Sequence, residues 1–201
     1  MEYLYHGSAT AWIAVLEARS TLHGTDTRVV YLTDCVPYAL FYIWDEERTG
    51  SSVKHVTGRV EDGTAIYEEQ FPDQLRAFYD GVSGWLYRAP REGARAAEGR
   101  ESLFYAEGDT PVEAQYVPDV YAALLEHEAA GRLKVLRYSA QPPQRQEELT
   151  QLIAEVIRRD QFYSGDPAQR AFMKRYFARA WAQAKCLTPS SGPATPWPRC
   201  P

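Results

Sequence analysis

Two stretches decide the fold of this 201-residue chain: Tyr3-Leu4-Tyr5-His6-Gly7-Ser8, and Val29-Val30-Tyr31-Leu32-Thr33-Asp34 some twenty-five residues later. Both are rich in aliphatic and aromatic residues, the composition of partly buried β-strands. The first strand ends in an imidazole, a glycine and a hydroxyl. The second carries Tyr31 and leads at once into an aromatic segment with Tyr38, Phe41, Tyr42 and Trp44. Strand ends that release polar groups into turns are where α/β and α+β folds place binding chemistry.

Between the two strands, Ser8 or Thr10 caps an expected short helix whose apolar face is Trp12, Ile13 and Leu16. Leu22-His23-Gly24-Thr25-Asp26 reads as a turn. After the second strand, Thr33 or Asp34 caps a helix with Pro37 in its first turn, running through Trp44 and ended by Gly50. A strand is expected over 52–60, turned back by Asp62-Gly63 into Thr64–Tyr67. Pro72 and Asp73 open a helix with Leu75, Phe78 and Tyr79 on its inner face, stopped by Gly81. Further strands are expected at 84–87, 102–106 and 112–117, with an exposed loop over 90–100. Pro118-Asp119 starts a helix that Gly131 ends, and a last strand covers 132–138.

At Gln141-Pro142-Pro143-Gln144 the texture changes, because neither proline can donate a backbone hydrogen bond. Residues 1–140 are therefore expected to form one domain and 141–187 a helical appendage. Leu149, Leu152, Ile153, Val156 and Ile157 make one helical stripe, and Asp166-Pro167 opens a second helix rich in aromatics. These faces must bury themselves on the body or on a protein partner. Residues 188–201, rich in Pro, Ser and Gly, read as a disordered tail.

Composition narrows the functional classes. The chain is 45% hydrophobic, enough for a sizeable core, and its net charge of −5 argues against a dedicated nucleic-acid or membrane-surface binder. The charge is uneven: from Gln144 onward there are nine Lys/Arg against five Asp/Glu, which leaves −9 on the first 143 residues. Arg170, Lys174, Arg175, Arg179 and Lys185 read as the solvated side of helices. Three widely spaced cysteines, with no CxxC pair, indicate neither a zinc site nor a disulfide framework. No signal peptide or membrane-length apolar run is expected, so the expected location is cytoplasmic.

The pairing of a strand-terminal His-Gly-Ser with a downstream Val-Tyr-Leu-Thr-Asp strand resembles the ADP-ribosyltransferase superfamily, in its poly(ADP-ribose) polymerase-like branch. That branch carries a histidine in a His-Gly-Ser turn, a tyrosine on the next core strand and a second tyrosine eleven residues beyond; here these are His6, Tyr31 and Tyr42. The chain also resembles a group of uncharacterised bacterial proteins with Tyr-His-Gly-Ser, Ala-Leu-Phe-Tyr and Gly-Val-Ser-Gly segments. The resemblance implies an α+β fold with a split antiparallel sheet core, and NAD, as substrate, lying across that split. His6 would bind a ribose hydroxyl, Gly7 and Ser8 the carboxamide or ribose, and Tyr42 the nicotinamide ring. Tyr31 would line the other wall, and Tyr38 would face the same groove as Tyr42.

Active members of the superfamily also place a glutamate on a late core strand, to stabilise the cation that develops as the nicotinamide bond breaks. Glu113 is the expected residue, with Gln115 on the same side of the strand by period two and Glu68 and Glu69 as remoter candidates. The expected catalytic set is thus His6, Tyr31 and Glu113, with no metal, acting on a protein, RNA or DNA acceptor. The alternative is a catalytically inactive nucleotide- or protein-binding module of the same fold. The related RNA 2′-phosphotransferases rank lower, since Arg28 alone does not supply their phosphate site.

Overall fold

The computed structural model describes residues 2–163 and 165–186, so the expected tail lies outside the described residues. The strands are β1 (Tyr3–Ser8), β2 (Val15–Leu16), β3 (Ser20–Thr21), β4 (Arg28–Thr33), β5 (Gly58–Glu61), β6 (Thr64–Glu68), β7 (Gly84–Pro90), β8 (Arg95–Ala96), β9 (Leu103–Glu107), β10 (Thr110–Pro111), β11 (Glu113–Val117) and β12 (Leu133–Leu136). The helices are α1 (Val36–Leu40), α2 (Glu46–Thr49), α3 (Gln74–Tyr79), α4 (Val120–Ala129), α5 (Pro143–Arg159), α6 (Pro167–Tyr176) and α7 (Ala178–Cys186). The fold is α+β, with antiparallel pairing throughout its main sheet.

That sheet runs β11-β7-β1-β4-β9-β8, with β3 on β4. Its strands are unequally joined. β1 pairs with β7 along its whole length, from Tyr3 opposite Pro90 to Ser8 opposite Trp85. β4 pairs with β9 from Val29 opposite Glu107 to Thr33 opposite Leu103. Between β1 and β4 one position is matched, Tyr5 opposite Thr33. The two central strands therefore diverge past that point, and the sheet is split in the middle. A smaller sheet, β12-β6-β5, is parallel where β12 meets β6.

The pleat sends alternate residues of β1 to opposite faces. Leu4 belongs to a small core with Leu16, Val30, Leu32, Ala89 and Phe104, whereas Tyr5 packs against the large core on the other face. α1 lies on that second face, at Gly7, where a Cβ would run into the Ala39 carbonyl oxygen. Glycine is required there by helix–strand contact. The large core holds Phe41, Tyr67, Leu75, Phe78 and Tyr79 from the body together with Ile153, Phe172, Met173 and Trp181 from α5, α6 and α7. Fully burying a side chain such as Phe41 contributes about 2–3 kcal/mol. The stripe of α5 is thus buried against the body. Of the cations expected to face water, Arg179 pairs with Glu147, while Arg175 and Lys174 lie over the rings of Tyr176 and Trp181.

Several local expectations hold. Asp62 and Gly63 turn β5 into β6 with positive φ of 49° and 73°, the pattern of a two-residue hairpin. Asp166 accepts from the Ala168 N–H and Pro167 opens α6. Others change. The expected helix over 10–16 does not form, because tertiary bonds claim its backbone: the Tyr87 hydroxyl donates to the Thr10 carbonyl and accepts from the Ile13 N–H, and Val15 and Leu16 pair with β10. The expected helix through Trp44 stops at Leu40. The Phe41 carbonyl accepts from the buried Tyr79 hydroxyl at 2.8 Å, and Asp45 caps a new helix, α2. The strand expected over 52–60 begins only at Gly58.

Candidate functional site

The split between β1 and β4 opens a cleft of about 550 Å³, walled by both strands, the loop 10–20, α1, Tyr42 and Lys54. That volume is typical of small-molecule sites. His6, Gly7, Ser8, Tyr31, Tyr38 and Tyr42 all line it. Six residues expected to share a groove are therefore together.

His6 spans the gap. Its Nδ1 lies 3.1 Å from the Tyr31 carbonyl oxygen. A carbonyl can only accept, so Nδ1 carries the hydrogen and Nε2 is left as a lone-pair acceptor. Burial pushes the His6 pKa below its ordinary 6.5, the bond to Tyr31 opposes that, and Lys54 adds a smaller downward push. The imidazole is neutral near pH 7, which keeps Nε2 a hydrogen-bond acceptor. Ser8 Oγ accepts from the Thr10 N–H at 3.1 Å, which turns the chain away from β1 and leaves a hydroxyl that can still donate. The Tyr31 hydroxyl reaches the Thr21 carbonyl at 3.4 Å, so the ring lies along the cleft wall. The Tyr38 and Tyr42 hydroxyls are 3.1 Å apart and their rings meet edge-on, which makes the two tyrosines one aromatic wall.

The structure adds residues that no sequence pattern marked as part of a site. Lys54 sends its Nζ to the Tyr42 carbonyl at 3.2 Å and lies 5.9 Å from the centre of the Tyr42 ring. Burial lowers its pKa, an effect that Glu46 opposes. Trp12, 84% exposed, lines the cleft with φ at +62°. A bulky residue in that region costs about 1–3 kcal/mol of backbone strain. Glu17 also lines the cleft, and Arg19 pairs with it at 2.7 Å. Glu101 lies in the turn before β9, where Arg100 and Leu103 line the cleft, and its carboxylate accepts from the N–H groups of Asp62 and Gly63 at 3.1 and 2.6 Å. The spacing of Trp12, Glu17, Arg19 and Lys54 carried no motif, and only the tertiary fold brings them to one cleft.

Glu113 is not among the residues brought together. It lies on β11, the sheet edge, with its carboxylate 2.7 Å from Arg88 Nε. The register places Glu113, Arg88 and Tyr5 in one row across the sheet and Ala114, Tyr87 and His6 in the next. Adjacent rows point to opposite faces, so Glu113 faces away from His6. Gln115 shares its side. Glu69 is buried and structural, joining β6 to its neighbours by accepting from the N–H groups of Leu75 and Tyr138. Glu68 is held by Arg145.

Among the described residues no group of three His, Cys, Asp or Glu could hold a metal ion, and no helix is long and apolar enough to cross a membrane. The chain matches no family model, no curated protein and no solved structure.

Proposed function

We propose that the cleft binds NAD and that the protein transfers its ADP-ribose to a macromolecular acceptor. The observation that carries this reading is the split sheet with a neutral His6 bridging it beside an aromatic wall. A dinucleotide needs a long groove, an acceptor for ribose hydroxyls, an aromatic face for a ring and a cation for its pyrophosphate. His6 Nε2 is suited to the first polar task and Tyr42 to stacking, worth about 0.5–1.5 kcal/mol beyond area burial. Lys54, with Arg19 and Arg100 nearby in the lining, is suited to the phosphates.

The transfer breaks the bond between ribose C1′ and the nicotinamide nitrogen, whose electrons leave with neutral nicotinamide. A nucleophile of the acceptor then forms the new bond to C1′ and releases its proton to solvent. Positive charge builds on the ribose in between, so a nearby carboxylate must keep its negative charge. Glu17 and Glu113 are each already ion-paired with an arginine. Glu101 is held by backbone N–H groups in the turn two residues before the strand that pairs with the strand of Tyr31. We assign the role to Glu101. The test is incubation with labelled NAD and a lysate, reading nicotinamide release and label on protein or nucleic acid. Neither signal, and no thermal shift with NAD, would remove the reading. A thermal shift without release would favour the inactive nucleotide-binding module instead.

A further inference from the structure

Trp12 is mounted rather than loose. Its ring lies 5.3 Å from that of Trp85, which in turn lies 5.1 Å from that of Tyr116. The backbone on either side of it is pinned to one buried hydroxyl: Tyr87 donates to the Thr10 carbonyl and accepts from the Ile13 N–H. Tyr87 is itself fully buried. An indole held in the left-handed region, braced by Trp85 with Tyr116 behind it and still 84% exposed, is a preorganised face with no partner among the described residues on its outer side.

Its position follows from the register. Ser8, Trp85 and Tyr116 stand in one row across β1, β7 and β11, on the same face as His6 by period two. α1, with the Tyr38–Tyr42 wall behind it, lies on the opposite face, at Gly7. Trp12 and Tyr42 nevertheless line the same cleft, which passes between them through the split. One site thus has an aromatic face on each side of the sheet.

We infer that Trp12, braced by Trp85 and Tyr116, is the stacking platform for a second planar ring of the ligand, the nucleobase of a dinucleotide whose other ring lies at Tyr42. The inference rests on the NAD reading of the cleft. An extended single-stranded nucleic acid is disfavoured as occupant because the first 143 residues carry a charge of −9.

The test measures binding of NAD, ADP-ribose and nicotinamide mononucleotide to the wild type and to Trp12→Ala and Trp12→Phe. Trp12→Ala is expected to weaken NAD and ADP-ribose at least tenfold and to leave nicotinamide mononucleotide within twofold, with Trp12→Phe recovering most of the loss. The melting temperature of Trp12→Ala, unchanged or raised by relief of the backbone strain, shows that the fold is retained. Equal losses for all three ligands, or none, overturn the inference and leave the NAD reading standing. Failure of the wild type to bind any of them overturns both.

Discussion

His6 Nδ1 donates to the Tyr31 carbonyl oxygen across 3.1 Å, at the place where β1 and β4 have ceased to pair. A side chain thus takes the backbone's role in holding the two halves of the sheet, and the missing ladder becomes the cleft. Replacing His6 by Ala removes this bridge and the proposed ribose acceptor together. The expected cost is about 1–3 kcal/mol of stability, from the carbonyl left unsatisfied, with loss of the NAD-induced thermal shift. Chemical denaturation and calorimetric titration check the two effects separately.

Gly7 has a different duty from its neighbours. Because α1 lies against it, Gly7→Ala drives a methyl group into the Ala39 carbonyl oxygen and cannot be absorbed by a side-chain rotation. A loss of about 3 kcal/mol, at the upper end for overpacking, is expected in urea unfolding. An unchanged midpoint would mean that α1 does not sit on β1 as described.

The carboxylates are separable by mutation. Glu101→Gln should reduce nicotinamide release at least 100-fold while NAD still binds, since the substitution keeps shape and removes charge. Glu113→Gln removes only the charge of an exposed ion pair with Arg88, and should leave turnover and the urea midpoint unchanged. Rates that respond to Glu113 and ignore Glu101 would reverse the assignment.

Acid should loosen the contact between the C-terminal helices and the body. His55 stacks on Phe172 with ring centres 5.0 Å apart and touches Phe177, and burial pulls its pKa down to about 4. A histidine depressed in the folded state favours unfolding once the unfolded chain takes up the proton. Its stability contribution is therefore complete above pH 6.5 and is lost as pH falls toward 4, by about 3 kcal/mol. His6, also depressed, acts in the same direction. His55→Phe should keep the stacking and flatten stability between pH 7 and pH 4, as followed by urea midpoints.

What the sequence determined by itself is the local chemistry. The His-Gly-Ser strand end, the Asp62-Gly63 hairpin, the Asp166-Pro167 helix start and the stripe of α5 each depend on periodicity or backbone preference within a few residues. His6 and Tyr31 were legible for the same reason, lying on two strong strands, while Tyr42 follows the second of them across α1. Only the tertiary structure decided the neighbours. Thr10 to Leu16 has an amphipathic pattern, yet bonds from Tyr87 and β10, more than seventy residues away, outweigh one turn's weak helical preference. Likewise β9 and β11 are both short late strands with a nearby glutamate. Their sequences do not say which one pairs with β4 and which with β7, since strand order is set by burial summed over the whole sheet. That choice turns Glu113 toward Arg88 at an edge and brings Arg100 and Leu103, on either side of Glu101, to the cleft.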